Sequence, residues 1–267
     1  MERVIVGFDG SRGAALALAW AAHEAELHGA ELLAWTVLPQ RPVVEEAVLK
    51  AIRRAVHETG DIRRVTCRLG YGAVAAELTG ACTGDDLLVV GCRGRSQFTG
   101  MLLGSVSRAC LHHAPCSVTV VPDRPKAQRA HGRVIAAVDG SLHARFGLRQ
   151  AGREAALRGA VLLVVHAVYW DPLGVELMTP GGEQLHAWGE KLVADELSSA
   201  GLSAEAVVVD GHPAEVLTRL SADADLLVLG SRGHNPLSGS LLGSTSDYCA
   251  QHAACPVMIA RPPRTDT

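Results

Sequence analysis

Gly91-Cys92-Arg93-Gly94, nine further residues, then Gly104-Ser105: this stretch recurs as Gly230-Ser231-Arg232-Gly233, nine residues, then Gly243-Ser244. Each copy begins where an aliphatic run stops, Leu87-Leu88-Val89-Val90 in the first and Leu226-Leu227-Val228-Leu229 in the second. Such runs, without polar alternation, read as strands buried on both faces, as in a parallel sheet. Each copy ends at a helix start. A glycine-rich loop between a buried strand and a helix N-terminus suits a phosphate group. Glycine lets backbone N–H groups approach closely, and the first helical turn has N–H groups without partners. One such loop is a weak sign. Two copies of identical spacing are a much stronger one.

Working outward, Val4-Ile5-Val6-Gly7-Phe8-Asp9-Gly10-Ser11 is repeated as Val134-Ile135-Ala136-Ala137-Val138-Asp139-Gly140-Ser141. The chain is therefore a tandem duplication, with a period too long for a solenoid and suited to two domains. The expected division is a first domain over 1–125, a linker over 126–132 and a second domain over 133–264. In the first copy Ser11 caps a helix reaching His28, and Gly29 ends it. Strands follow near 31–37, 64–69, 87–90 and 117–121, with helices near 43–59, 73–82 and 105–113. The second copy repeats the order, with helices near 144–158, 182–199, 214–222 and 244–252. Alternating strands and helices predict an α/β chain of two doubly wound, five-stranded parallel-sheet domains. Ligands of such sheets sit beyond the carboxyl ends of the strands. The first-strand exits (Asp9, Asp139) and the fourth-strand loops line one crevice if strands one and four are neighbours.

Composition narrows the function classes. The chain has 267 residues, 48% of them apolar, and a formal net charge of −3. A general polyanion-binding surface is not expected, so nucleic acid is set aside. No apolar run approaches the roughly 18 residues that a membrane span needs. Met1-Glu2-Arg3 runs straight into strand-like Val4-Ile5-Val6, so no signal peptide is expected and the cytoplasm is the default. The seven cysteines lack C-x-x-C spacing, which argues against a zinc site or a disulfide framework.

The D-G-S exit of the first strand, the G-x-x-G-(nine)-G-S loop, and the Cys255-Pro256-Val257 that follows the last helix together resemble the universal stress protein family, in its tandem, ATP-binding type. The first copy departs from this pattern at Cys116-Ser117-Val118, its proline lying earlier at Pro115. The resemblance covers nearly the whole chain. It implies Rossmann-like domains of strand order 3-2-1-4-5, with ATP as ligand, with or without Mg. It places Gly7, Asp9, Val37, Ala137, Asp139 and Val168 along the nucleotide pocket, the valines at the adenine. Gly91, Arg93, Gly94, Gly104 and Ser105 match the triphosphate and ribose region, as do Gly230, Arg232, Gly233, Gly243 and Ser244 in the second copy. Val106 and Thr245 follow directly and are counted with the site. It also implies pairing of the two copies through their fifth strands within one chain, with a homodimer as a further option, and a protein partner of unspecified kind.

The residues themselves leave alternatives open. The glycine loops also read as tight turns, although nine residues exceed what a helix connection needs. Asp9 and Asp139 read equally as turn residues or nucleotide contacts, since D-G-S is ordinary turn chemistry. Arg93 and Arg232, the loop charges present in both copies, suit phosphate clamps or solvated surface. Recurrent Cys110/Cys249 and Cys116/Cys255 read best as small buried side chains; Cys92 inside the first loop is a thiol whose pKa falls if it is exposed. Gly70-Tyr71-Gly72-Ala73-Val74-Ala75 matches a dinucleotide fingerprint, but the second copy has Gly211-His212-Pro213 and breaks it. No paired carboxylates stand near the loops, so no catalytic residue and no metal site is assigned. The reading is an ATP-binding, nucleotide-dependent regulator of a stress response. A slow ATPase or nucleotide-transferring enzyme and a nucleotide-free scaffold are the alternatives.

Overall fold

The computed structural model describes residues 1–40, 45–60, 64–94, 103–123, 131–169, 182–233 and 242–262. Most of the expected linker and of both nine-residue loop inserts, with Arg95 and His234, lie outside the described residues. The first half runs β1 (Arg3–Gly7), α1 (Arg12–His28), β2 (Glu31–Leu38), α2 (Glu45–Thr59), β3 (Val65–Tyr71), α3 (Val74–Gly80), β4 (Leu87–Gly91), α4 (Ser105–His113) and β5 (Ser117–Val121). The second runs β6 (Arg133–Ala137), α5 (Leu142–Arg158), β7 (Val161–Val168), α6 (Gly182–Ala200), β8 (Glu205–Asp210), α7 (Pro213–Leu220), a 3-10 turn, β9 (Leu226–Gly230), α8 (Ser244–His252) and β10 (Val257–Ala260).

Local chemistry accounts for the helix ends. Ser11 and Ser141 each accept a hydrogen bond from the N–H three residues on, Ala14 and Ala144, at 3.2 Å. Gly29 (φ 61°) and Gly159 (φ 60°) close the same two helices in the left-handed conformation that glycine adopts without steric cost. β3 runs two residues beyond its expected end because Gly70 fits where a side chain would not. A Cβ there would lie 2.7 Å from Trp35 Nε1. That contact accounts for the first glycine of the fingerprint-like stretch by packing alone.

All strands join one sheet in the order β3-β2-β1-β4-β5-β10-β9-β6-β7-β8. Each half therefore has the order 3-2-1-4-5, read from opposite ends of the sheet. Neighbours are parallel except at the joint, where β5 and β10 pair antiparallel through Val120↔Val257, Thr119↔Met258 and Val118↔Ile259. Successive strand residues face opposite sides. Ile5, Leu33, Leu88 and Val118 pack under α3, α4, α7 and α8. Val4, Leu32, Leu87 and Val89 pack under α1, α2, α5 and α6. Both layers run unbroken across the joint.

Polar contacts also cross it. Arg261, just past β10, donates through its guanidinium to Ala114 O and, at 2.8 Å, to Leu111 O, the carbonyls left open at the end of α4. On the opposite face α1 meets α5 at a buried ring of charges. His28 Nε2 lies 3.0 Å from Glu154 Oε1 and 3.2 Å from Glu24 Oε1. Arg158 bridges the second oxygens of the same two carboxylates.

Candidate functional site

β1 is parallel to β4 and β6 to β9, through Val4↔Leu87 to Val6↔Val89 and Val134↔Leu226 to Ala136↔Val228. The D-G-S exits and the glycine loops therefore share the carboxyl end of adjacent strands in each half.

Each loop is closed at its base by backbone. Gly104 N donates to Cys92 O at 2.7 Å, and Gly243 N to Ser231 O at 2.9 Å. Ser107 and Ser246, which the sequence reading did not single out, add a second closure. Their hydroxyls donate to Gly91 O (2.6 Å) and Gly230 O (2.8 Å), tying the first turn of α4 and α8 to the end of β4 and β9. Their signal in the sequence was positional, a serine two places after each G-S pair.

Gly91 and Gly230, at the base of the two loops, are required by close approach to backbone. A Cβ on Gly91 would lie 2.6 Å from Gly13 O, and one on Gly13 would lie 2.6 Å from Arg93 O. On Gly230 it would meet the His143 carbonyl carbon at 2.6 Å. On Gly94 and Gly233 it would lie 2.8 Å from Asp9 Oδ2 and 2.7 Å from Asp139 Oδ2. Asp9 and Asp139 thus have two faces. Oδ1 accepts from Ser11 N or Ser141 N at 2.9 Å and holds the turn, while Oδ2 faces the loop glycine. Gly104 differs: a Cβ there would meet nothing closer than Cys92 O at 3.5 Å. Gly104 and Gly243 are the N-caps of α4 and α8, with no side chain to cap the first turn. The N–H groups that open each helix, at Ser105 and Val106 and at Ser244 and Thr245, have no capping side chain from their own N-cap and suit an anion.

Other expected residues divide. Arg93 and Arg232 are exposed at the loop, beside Gly94 and Gly233. Gly7 and Ala137 end β1 and β6; a Cβ on Gly7 would lie 2.9 Å from Leu78 Cδ1, so that position is set by packing against α3. Val37 and Val168 are not equivalents. β1 pairs Gly7 with Trp35 and β6 pairs Ala137 with Val165, so the counterpart of Val37 is Ala167 and that of Val168 is Leu38. Because strand residues alternate faces, a slip of one place puts the two valines on opposite sides of their strands.

The two crevices are not identical. At the first loop Cys92 is buried and its Sγ accepts from Asp123 N at 3.2 Å; burial pushes this thiol up, the opposite of an activated cysteine. Cys110, Cys249 and Cys255 are likewise buried, each pushed up to about 12. At the second loop Ser231 replaces Cys92, and its hydroxyl lies 2.8 Å from His143 Nδ1. Ser141 Oγ donates to Arg232 O at 3.2 Å.

Among the described residues one group has three potential metal ligands close together: Glu24, His28 and Glu154. It sits at the far end of α1 from the loop. Arg158 already occupies both carboxylates, and a metal would add charge to a ring that His28 and Arg158 neutralise. It reads as a structural ion cluster. Among the described residues no helix is long and apolar enough to cross a membrane.

Comparison with known proteins gives a consistent result. The sequence model of the Universal stress protein family matches residues 1–55, 41–122 and 131–261. Universal stress protein Rv2623 of Mycobacterium tuberculosis (strain ATCC 25618 / H37Rv) is 31% identical over 298 positions, spanning 97% of this chain and 96% of the relative. A universal stress protein of Mycolicibacterium smegmatis (strain ATCC 700084 / mc(2)155) is 30% identical over 285 positions, spanning 97% of each chain. Among solved structures, a universal stress protein from Archaeoglobus fulgidus DSM 4304 superposes with TM-score 0.70 at 18% identity, covering 97% of this chain and 98% of the other. At that identity the likeness speaks for the fold alone.

Proposed function

The chain belongs to the universal stress protein family, and we propose that it binds ATP at both glycine loops and acts as a nucleotide-dependent regulator rather than a fast enzyme. The observation that carries this reading is the pairing, twice over, of a glycine-capped helix N-terminus with an adjacent aspartate. Gly104 opens α4 beside the loop that Asp9 faces, and Gly243 opens α8 beside the loop that Asp139 faces. First-turn N–H groups without a side-chain cap from Gly104 or Gly243, and the exposed Arg93 and Arg232, supply phosphate recognition. Gly94 and Gly233 keep the backbone low enough for a ligand to reach it.

Mg enters with the phosphates rather than on a protein ligand set, since the one three-ligand group among the described residues is engaged with Arg158. In this proposal each half, 1–125 and 133–264, is one nucleotide-binding domain, and the β5–β10 pairing holds both in a single cytoplasmic molecule. The nucleotide-bound crevice then presents a surface to a protein partner.

The test is calorimetry with ATP and magnesium on the natural chain and on Gly94→Ala, Gly233→Ala and the double variant. Each single change is expected to remove one site or weaken it by about tenfold or more, a loss of about 1.4 kcal/mol. Unchanged affinity in the double variant, with its fold intact by circular dichroism, overturns the loop assignment. Metal-dependent turnover well above background moves the reading to an ATPase.

A further inference from the structure

We propose that His143 couples the second loop's hold on an anionic ligand to a proton, a coupling the first loop lacks because Gly13 stands at the equivalent place. This rests on the nucleotide reading above and names how the second of its sites is regulated.

His143 is the second residue of α5, and its backbone carbonyl carbon would touch a Cβ on Gly230, where β9 becomes the loop. Its Nδ1 lies 2.8 Å from the hydroxyl of Ser231, the second residue of the loop motif. Ser231 is buried, its carbonyl accepts the Gly243 N–H that closes the loop, and its N–H donates to Ala260 O. The imidazole is therefore wired into the base of the loop. In the first half Cys92 replaces Ser231 and bonds Asp123 N instead.

Protonation changes what this pair offers. With the neutral ring carrying its proton on Nε2, Nδ1 accepts the Ser231 O–H, and that hydroxyl proton is committed to the ring. With the ring protonated, Nδ1–H donates to Ser231 Oγ, the hydroxyl proton is released to another acceptor, and a positive charge joins Arg232. Both changes favour an anion.

Among the described residues, the charges that act on the ring are Arg232 after β9, Arg261 after β10 and Asp139 after β6. Burial first, then the two arginines, hold the imidazole below its ordinary value, and Asp139 opposes them. The free site is thus poised neutral near pH 7. A phosphate at the loop acts in the direction of Asp139 and raises the ring's proton affinity. Binding then takes up a proton, so affinity rises as pH falls.

The experiment follows the ring of His143 by NMR in the natural chain, from pH 5 to 8, without and with saturating ATP and magnesium. The expected result is a rise of about one pKa unit on adding ATP, which is about a tenfold tightening between the fully neutral and fully protonated limits. A companion measurement compares ATP affinity of the natural chain and His143→Asn at pH 7.5 and 5.5. Asparagine keeps a hydrogen-bonding group beside Ser231 but does not titrate. Both proteins share the ligand's own protonation, so the ratio of their affinities isolates the imidazole. The ratio should change by about threefold to tenfold in favour of His143 at the lower pH. A ring pKa unmoved by bound ATP, or a pH-independent ratio, overturns the proposal and leaves the nucleotide reading standing. No ATP binding at any pH overturns both.

Discussion

Gly91 and Gly13 meet backbone to backbone, and this contact sets how closely the first loop lies against α1. A methyl group on Gly91 would have to displace main chain at 2.6 Å, which cannot swing away as a side-chain tip can. Overpacking of this kind typically costs about 1–3 kcal/mol. Gly91→Ala is therefore expected to lower unfolding free energy by that amount in urea titration. Gly104→Ala, where the nearest atom is 3.5 Å away, should cost clearly less. Equal losses would mean that the contact does not define the loop. At this scale the glycine spacing was legible because it recurs, and recurrence is visible in one sequence. The partners of those glycines were not. That Ser231 meets His143 depends on how α5 lies across the end of β9. The slip between Val37 and Val168 has the same origin. A run of aliphatic residues hides its register until the neighbouring strand fixes it.

Helices α1 and α5 carry the clearest instance of element-level chemistry that the sequence concealed. Glu24 and His28 lie one turn apart on α1, as Glu154 and Arg158 do on α5, and each pair alone reads as an ordinary helical ion pair. Brought together they form a buried ring in which each carboxylate is shared. Burial alone would lower His28, but Glu154 and Glu24 outweigh it and hold the imidazole up to about 9. Burial raises Glu24 to about 7. It acts on Glu154 in the same sense, but bonds from His28 and Glu24 and the charge of Arg158 win and hold it down to about 2. The sign follows for His28. Its folded value is above the ordinary 6.5, so its contribution is fully present below about pH 6.5 and is lost as pH rises through about 9. The unfolding temperature should accordingly fall between pH 6.5 and 9. His28→Gln, although less stable, should lack that part of the decline. Parallel pH profiles for the two proteins would show that the ring does not titrate with the fold. The capped ends of α1 and α5, by contrast, were readable from Ser11, Gly29, Ser141 and Gly159, because capping is decided within a few residues.

Across the whole molecule, two like halves share one sheet by joining β5 to β10. The joint buries Val118, Val120, Val257 and Ile259 and removes two strand edges that would otherwise be open to pairing with other chains. Arg261 crosses the joint to the carbonyls that end α4. Hydrogen bonds to a charged donor are worth about 1.5–3 kcal/mol. Arg261→Ala is therefore expected to lower stability by about that much and to speed amide exchange in β5 and β10 before other strands. Uniform exchange across the sheet would place the weak point elsewhere. The duplication and the sheet order of each half were legible in the sequence and in the family it resembles. The inequality of the halves was less so, because it lies in single substitutions, Gly13 against His143 and Cys92 against Ser231, whose meaning is spatial.

Both loops are proposed to hold nucleotide. The most direct measurement purifies the chain without added nucleotide, denatures it, and identifies by chromatography and mass spectrometry what is released. The expected result is ATP, approaching two per chain, with a rise in unfolding temperature when ATP and magnesium are added. No nucleotide released, and no thermal shift on adding ATP and magnesium, would contradict it.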